Sequence, residues 1–81
     1  IDILFNFDNV IHKINKLKID TFTKENAYMY AMYSLVVVEN DLCHNLKSVF
    51  HKELRKRKVY KYIAVRNVKS FIKKIIFFIK Y

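Results

Sequence analysis

The chain is expected to fold as an all-α protein, a small bundle of three to four amphipathic helices in one domain over residues 1–81. Two observations carry this. Glycine and proline are both absent from 81 residues, and tight hairpin turns want glycine at positive φ. Apolar side chains also recur at helical spacing along nearly the whole chain. A hydrophobic content of 53% argues against disorder, and at this size there is room for one modest core.

The first element spans Ile3–Leu17, with apolar residues at 3, 4, 7, 10, 11, 14 and 17. Asp2 at its start and Lys13, Lys16 and Lys18 at its end suit the helix dipole. Asp20-Thr21-Phe22-Thr23 supplies a break with capping residues. A second helix follows over Tyr28–Leu42, its apolar positions at 28, 31, 32, 35, 38 and 42, although Val36-Val37-Val38 has strand propensity. A turn is expected near the polar stretch Glu39-Asn40-Asp41 and His44-Asn45. From Leu46 a third helix takes up Leu46, Val49, Phe50 and Leu54. The apolar phase then slips around Arg55–Val59 and resumes at Tyr60, Ile63 and Ala64. Asn67 is expected to end this helix, with Lys69–Lys80 as a short fourth. Without glycine, Asn15, Asn40 and Asn67 are expected to stand in for it at helix ends. There is no internal repeat and no linker.

Charge is distributed unevenly. Residues 41–81 hold twelve Lys/Arg against two acids, a balance of +10, whereas residues 1–40 hold four Lys against five acids, a balance of −1. The density peaks in Arg55, Lys56, Arg57, Lys58 and Lys61, with Tyr60 and Tyr62 between them. Like charges repel and add nothing to the fold. A solvated helix face and a polyanion-binding surface both fit the segment; the asymmetry points to a polyanionic partner, nucleic acid first. Arg and Lys would neutralise phosphates and Tyr would stack on a base or bond a 2′-hydroxyl.

Other chemistry finds little footing. Cys43, His44 and His51 lack the paired spacing of a metal site, and a buried Cys43 with two partly exposed imidazoles is expected instead. His44 beside Cys43 is no catalytic base, since adjacent helical residues point apart. His12 is expected to face solvent. There is no pair of catalytic carboxylates and no Gly-rich phosphate loop, so no enzyme, cofactor, metal or small-molecule substrate is expected. One cysteine excludes an internal disulfide scaffold. The tail Phe71–Tyr81 has the spacing of a membrane-surface helix and equally of a bundle face; the bundle face is the expectation, and a membrane is not expected among the partners. Opening on Ile rather than Met, the chain is expected to be processed or trimmed, with any targeting peptide out of view.

Three stretches resemble the ribosomal small-subunit protein 15 family of bacterial and organellar type. Asp20-Thr21-Phe22-Thr23-Lys24-Glu25 is similar to the family's Asp-Thr-Gly-Ser-x-Glu, with Phe22 in place of the glycine. His44-Asn45-Leu46-Lys47-Ser48-Val49 is similar to His-Ser-x-Arg-x-Leu, preceded by Leu42 where the family has an aspartate. The run Arg55 to Asn67 is similar to the third-helix pattern Lys-Arg-x-x-Leu-Leu-x-Tyr-Leu, and Phe71 and Ile75 fall at an aromatic and an aliphatic position. The resemblance covers most of the chain. It implies a four-helix structural component of an organellar small ribosomal subunit, mitochondrial ahead of plastid, bound to small-subunit ribosomal RNA and neighbouring ribosomal proteins. It further implies Thr21 and Tyr62 at a three-way RNA junction, His44 and Asn45 at a minor groove, and Lys47, Arg57, Lys58 and Arg66 on phosphates. Arg55, Lys56 and Lys61 join this surface by charge. The alternative is a small basic helical accessory subunit of a membrane-bound organellar complex, respiratory or translocation, with its basic face on acidic lipid.

Overall fold

The structure, a computed structural model, describes residues 2–81, and residue 2 by its backbone alone; the dipole role expected of the Asp2 side chain lies outside it. Four helices follow in order: α1 (Asp2–Lys16), α2 (Thr21–Asp41), α3 (His44–Lys56) and α4 (Val68–Lys80), with a single 3-10 turn (Val59–Tyr62) between the last two. Among the described residues there is no strand. The all-α bundle is as the sequence predicts.

Helix α1 buries Leu4, Phe7, Ile11 and Ile14, one face at the predicted spacing. Val10 and Leu17, expected in the core, are exposed. Its C-terminal end is held from α2: Lys24 Nζ donates to the Asn15 carbonyl at 3.3 Å, and the Tyr28 hydroxyl donates to Asn15 Oδ1. Asn15 therefore does not act as a glycine substitute.

Asp20 caps α2, accepting from the Thr23 backbone N–H at 2.9 Å and from Thr23 Oγ1 at 2.7 Å. These bonds, the side-chain one foremost, hold the Asp20 carboxyl below its usual pKa. The helix buries Met32 and Leu35 and contacts α1, α3 and the 3-10 turn, which makes it the hub of the core. It absorbs Val36–Val38 and continues through Glu39-Asn40-Asp41, and the expected turn falls at Leu42 and Cys43, between the two polar stretches. Glu39 is not a turn residue at all. It is 3% exposed, on the same face as Met32 and Leu35.

A buried carboxylate needs partners, and two distant segments supply them. His51 Nδ1 lies 3.0 Å from Glu39 Oε1, and the Tyr81 hydroxyl donates to Oε2 at 2.7 Å. His51 Nε2 lies 2.8 Å from the Lys80 carbonyl, and its ring packs on Tyr81 with centroids 4.7 Å apart. The two ring nitrogens thus face oxygens of two different elements. This network ties the end of α4 to α2 and α3.

Helix α3 buries Phe50 and Leu54, while Leu46 and Val49 are exposed. It ends at Lys56 and does not run on to Asn67. The phase slip read at 55–59 is a break: Lys58 sits at φ 49° and ψ 55°, the one positive φ among the described residues. The 3-10 turn then buries Val59, and Ile63 is buried just beyond it. Asn40 lies inside α2. Asn67 begins a helix instead of ending one, at φ −159°, in a capping box with Ser70: Ser70 N–H donates to Asn67 Oδ1 and Asn67 N–H to Ser70 Oγ, each at 2.9 Å.

The molecule measures 39 × 29 × 19 Å, two helix diameters in its thinnest direction. Its accessible surface is 5856 Å², against about 5,200 Å² for a folded monomer of this mass. Helix α4 has no fully buried residue of its own.

Candidate nucleic-acid interface

The expected site residues fall into three places. His44, Asn45 and Lys47 lie in the first turn of α3. Arg55, Lys56, Arg57, Lys58, Lys61 and Tyr62 surround the break after it. Thr21 and Arg66 lie at the start of α2. A 21-residue α2 separates its two ends by about 30 Å at 1.5 Å per residue, so the groups line a long side of the molecule and do not converge on a point.

At the first turn of α3, Cys43 precedes the helix without a side-chain cap bond and is exposed, not buried as expected. His44 and Asn45 are exposed and Lys47 is half-buried. A shallow groove joins His44, Lys47 and Ser48 to the Glu39–His51 pair. Among the described residues no three His, Cys, Asp or Glu side chains are grouped to hold a metal ion.

The break after α3 divides the cations in two. Arg57 turns inward: Nε and Nη2 donate to Asp8 Oδ1 and Oδ2 at 2.9 and 2.8 Å, and Nη1 to Glu53 Oε2 at 2.8 Å. Its side chain is 22% exposed. The Asp8 bonds, ahead of those to Glu53, hold the guanidinium still more firmly protonated. Arg57 in turn holds the Glu53 carboxyl below its usual pKa. Arg57, expected on a phosphate, is here engaged in a link from α1 to α3. Arg55, Lys58 and Lys61 are exposed, with no ion pair among the described residues; Lys52, one turn before Arg55, belongs with them. Lys56 has a loose pairing with Glu53 at 3.6 Å.

Tyr62 is on the 3-10 turn and not on the third helix. Its ring meets Phe7 edge-on at 5.9 Å and lies on Tyr28 at 5.4 Å. Burial, with the negative charge of Asp8 second, raises its pKa. The ring expected to meet the RNA is thus engaged by Phe7 and Tyr28, and Lys61 Nζ sits 5.2 Å from its centroid. At the start of α2, Thr21 is exposed. Arg66 is engaged with that segment: Nη1 donates to Asn26 Oδ1 at 2.9 Å, Nη2 lies 3.6 Å from Glu25 Oε1, and the guanidinium stacks 4.3 Å from the Phe22 ring centroid. Phe22, read as the loss of a glycine, is the platform for this cation. The i, i+4 spacing of Glu53 and Arg57 was a signal for that pairing; nothing local marks Asp8 or Phe22.

No family model matches the chain, and neither the curated proteins nor the solved structures give a match.

Proposed function

We propose that this protein binds structured RNA through phosphate contacts made at the corner where α3 ends, and that the RNA is the small-subunit ribosomal RNA of an organellar ribosome. One observation carries the reading: Lys52, Arg55, Lys58 and Lys61 stand exposed and without ion pairs among the described residues, the last three in a segment, 54–81, that holds ten cations and no acid. Contacts of this kind position an RNA and carry little sequence information. Tyr62 and Arg57 support the corner from within, Lys56 and Lys47 extend it, and Thr21 with His44 and Asn45 offers polar contacts at the two ends of α2. The role is structural and not catalytic: holding a junction of RNA helices in one arrangement beside neighbouring ribosomal proteins, in the mitochondrion ahead of the plastid.

The test is binding of a labelled three-way-junction RNA, followed by fluorescence anisotropy across a salt series. Four phosphate contacts predict a slope of log K against log salt of about −3 to −4. The variant Arg55→Ala/Lys58→Ala/Lys61→Ala should flatten that slope by about 2 to 3. A slope unchanged by the triple substitution would remove the corner from the interface. Equal affinity for a junction and for a plain duplex would leave a general polyanion binder and sink the junction assignment.

A further inference from the structure

The apolar stripe of α4 points away from the protein. The side of the helix that meets the body carries Ser70, Lys74, Phe77 and Tyr81, spaced i, i+4, i+7 and i+11. Phe77 meets Tyr33 edge-on at 6.1 Å, and Tyr81 enters the Glu39–His51 network. The opposite side carries Val68, Phe71, Ile72, Ile75, Ile76 and Ile79, spaced i, i+3, i+4, i+7, i+8 and i+11, with exposures from 42% at Ile75 to 75% at Val68. The bundle face expected for this stripe is therefore not formed. The apolar surface continues into a groove shared by Tyr60, Val65, Phe71 and Phe78. A continuous apolar face of this kind on a small chain marks a contact surface.

We propose that α4 is an interfacial anchor that lays this face into an anionic lipid bilayer. Charge selects the occupant. Lys69, Lys73 and Lys80 flank the stripe on one side, as their helical positions require; Lys73 Nζ and Lys80 Nζ lie 4.4 and 5.2 Å from the Tyr33 and Tyr81 ring centroids, and Lys69 can extend its head toward the headgroups while its stem stays in the apolar layer. Helix α4 holds four lysines and no acid, so a second copy docked face to face would bring four cations against four. Nucleic acid offers phosphates to the lysines but no apolar layer to the isoleucines. Anionic lipid supplies both at once. The helix, 13 residues long, extends only about 20 Å, and no helix among the described residues is long and apolar enough to cross a membrane; α4 would lie in the plane of the surface. The face is separate from the RNA-binding corner, and the proposal does not rest on that reading.

The experiment is co-sedimentation with vesicles of pure phosphatidylcholine and of an equimolar mixture with phosphatidylglycerol. Wild-type protein should partition to the anionic vesicles about tenfold more strongly. Ile72→Asn/Ile76→Asn/Ile79→Asn should lose about tenfold or more of that partition while keeping its helical circular dichroism, since these side chains support nothing inside the fold. It should also keep its RNA affinity, which separates failure of this proposal from failure of the other. In Ile76→Trp, shallow brominated lipid should quench the indole and deep label should not. Partition unaffected by the triple substitution would mean lysine contacts alone, and an unquenched indole would mean no insertion; either overturns the anchor. So would a dimer in sedimentation equilibrium that the triple substitution dissolves without any vesicle binding.

Discussion

The Tyr81 hydroxyl donates to Glu39 Oε2 at 2.7 Å across 42 positions of sequence, and this bond joins the end of α4 to the middle of the core. Glu39 is buried and has two partners, Tyr81 and His51. Removing one strands a lone pair of a buried carboxylate. Tyr81→Phe should therefore cost about 1–3 kcal/mol, read from urea unfolding. The α4 amides should show the largest rise in hydrogen exchange, because the bond fixes the C-terminal end of that helix to α2. Loss of stability without faster exchange in α4 would mean that the bond does not act as the latch.

The same bond predicts an alkaline limit. Burial, then the hydrogen bond to Glu39, raises the Tyr81 pKa, and burial raises that of Tyr62. Each phenol holds its proton more tightly folded than unfolded, so each contributes stability that is complete below about pH 10, the unfolded phenol value. That contribution is lost as pH rises through the folded values. Tyrosinate absorbance should show a fraction of the tyrosines titrating late and together with unfolding, and Tyr81→Phe should shrink that fraction. A single early step covering every tyrosine would exclude both buried phenols.

Arg57 and its sequence neighbours should separate cleanly in mutagenesis. Arg57→Ala breaks the bridge from Asp8 to Glu53. For a pair this exposed the loss should be about 1 kcal/mol, with RNA affinity changed by less than about threefold at fixed salt. Arg55→Ala or Lys61→Ala should leave stability within about 0.5 kcal/mol and reduce the salt slope by about 1 each. The reverse pattern would place Arg57 on RNA and its partners as bystanders.

The contrast between these arginines shows what the sequence discloses and what it withholds. The α1 face at Leu4, Phe7, Ile11 and Ile14 was legible because periodicity is local and its burial followed. The phase slip at 55–59 was legible as an irregularity, and the structure resolves it into a left-handed residue and a 3-10 turn. Glu39 was misread because a carboxylate among Asn and Asp looks like a turn, and its partners His51 and Tyr81 are distant in sequence. Asp8 was invisible for the same reason. In α4 the spacing revealed an apolar stripe but not its direction: eight apolar and four basic side chains admit either rotation, and the Glu39 network selects the one that turns Phe77 and Tyr81 inward. For the candidate site, charge identified the exposed corner. It could not tell which cation faces an acid from another helix.

The cap of α4 offers an independent handle on that helix. Asn67 and Ser70 satisfy each other's backbone N–H groups at the start of α4. Asn67→Ala should cost about 1 kcal/mol, and Asn67→Asp should restore most of it, since an anion at this end also suits the dipole. Thermal unfolding followed by circular dichroism reads both. If alanine and aspartate behave alike, the capping box contributes nothing.

Lys58 makes the sharpest prediction, because its two roles pull in opposite directions. Its backbone sits in the left-handed region at φ 49°, where a side chain costs about 1–2 kcal/mol. The conformation is enforced by Lys58 N–H donating to the Arg55 carbonyl at 3.1 Å and by the Lys58 carbonyl accepting from Lys61 N–H at 3.0 Å, which turns the chain so that Val59 and Ile63 reach the core. Glycine removes the steric cost and gives back part of the gain as unfolded-state entropy. Lys58→Gly should thus stabilise the protein by about 0.5–1 kcal/mol. The same substitution removes an exposed cation from the corner and should flatten the salt slope of RNA binding by about 1. Lys58→Ala keeps the strain and loses the charge, so it should weaken RNA binding equally with no gain in stability. A glycine variant that is less stable than wild type would mean that the left-handed break after α3 is not there, and with it would go the separation of an inward Arg57 from an outward Lys58.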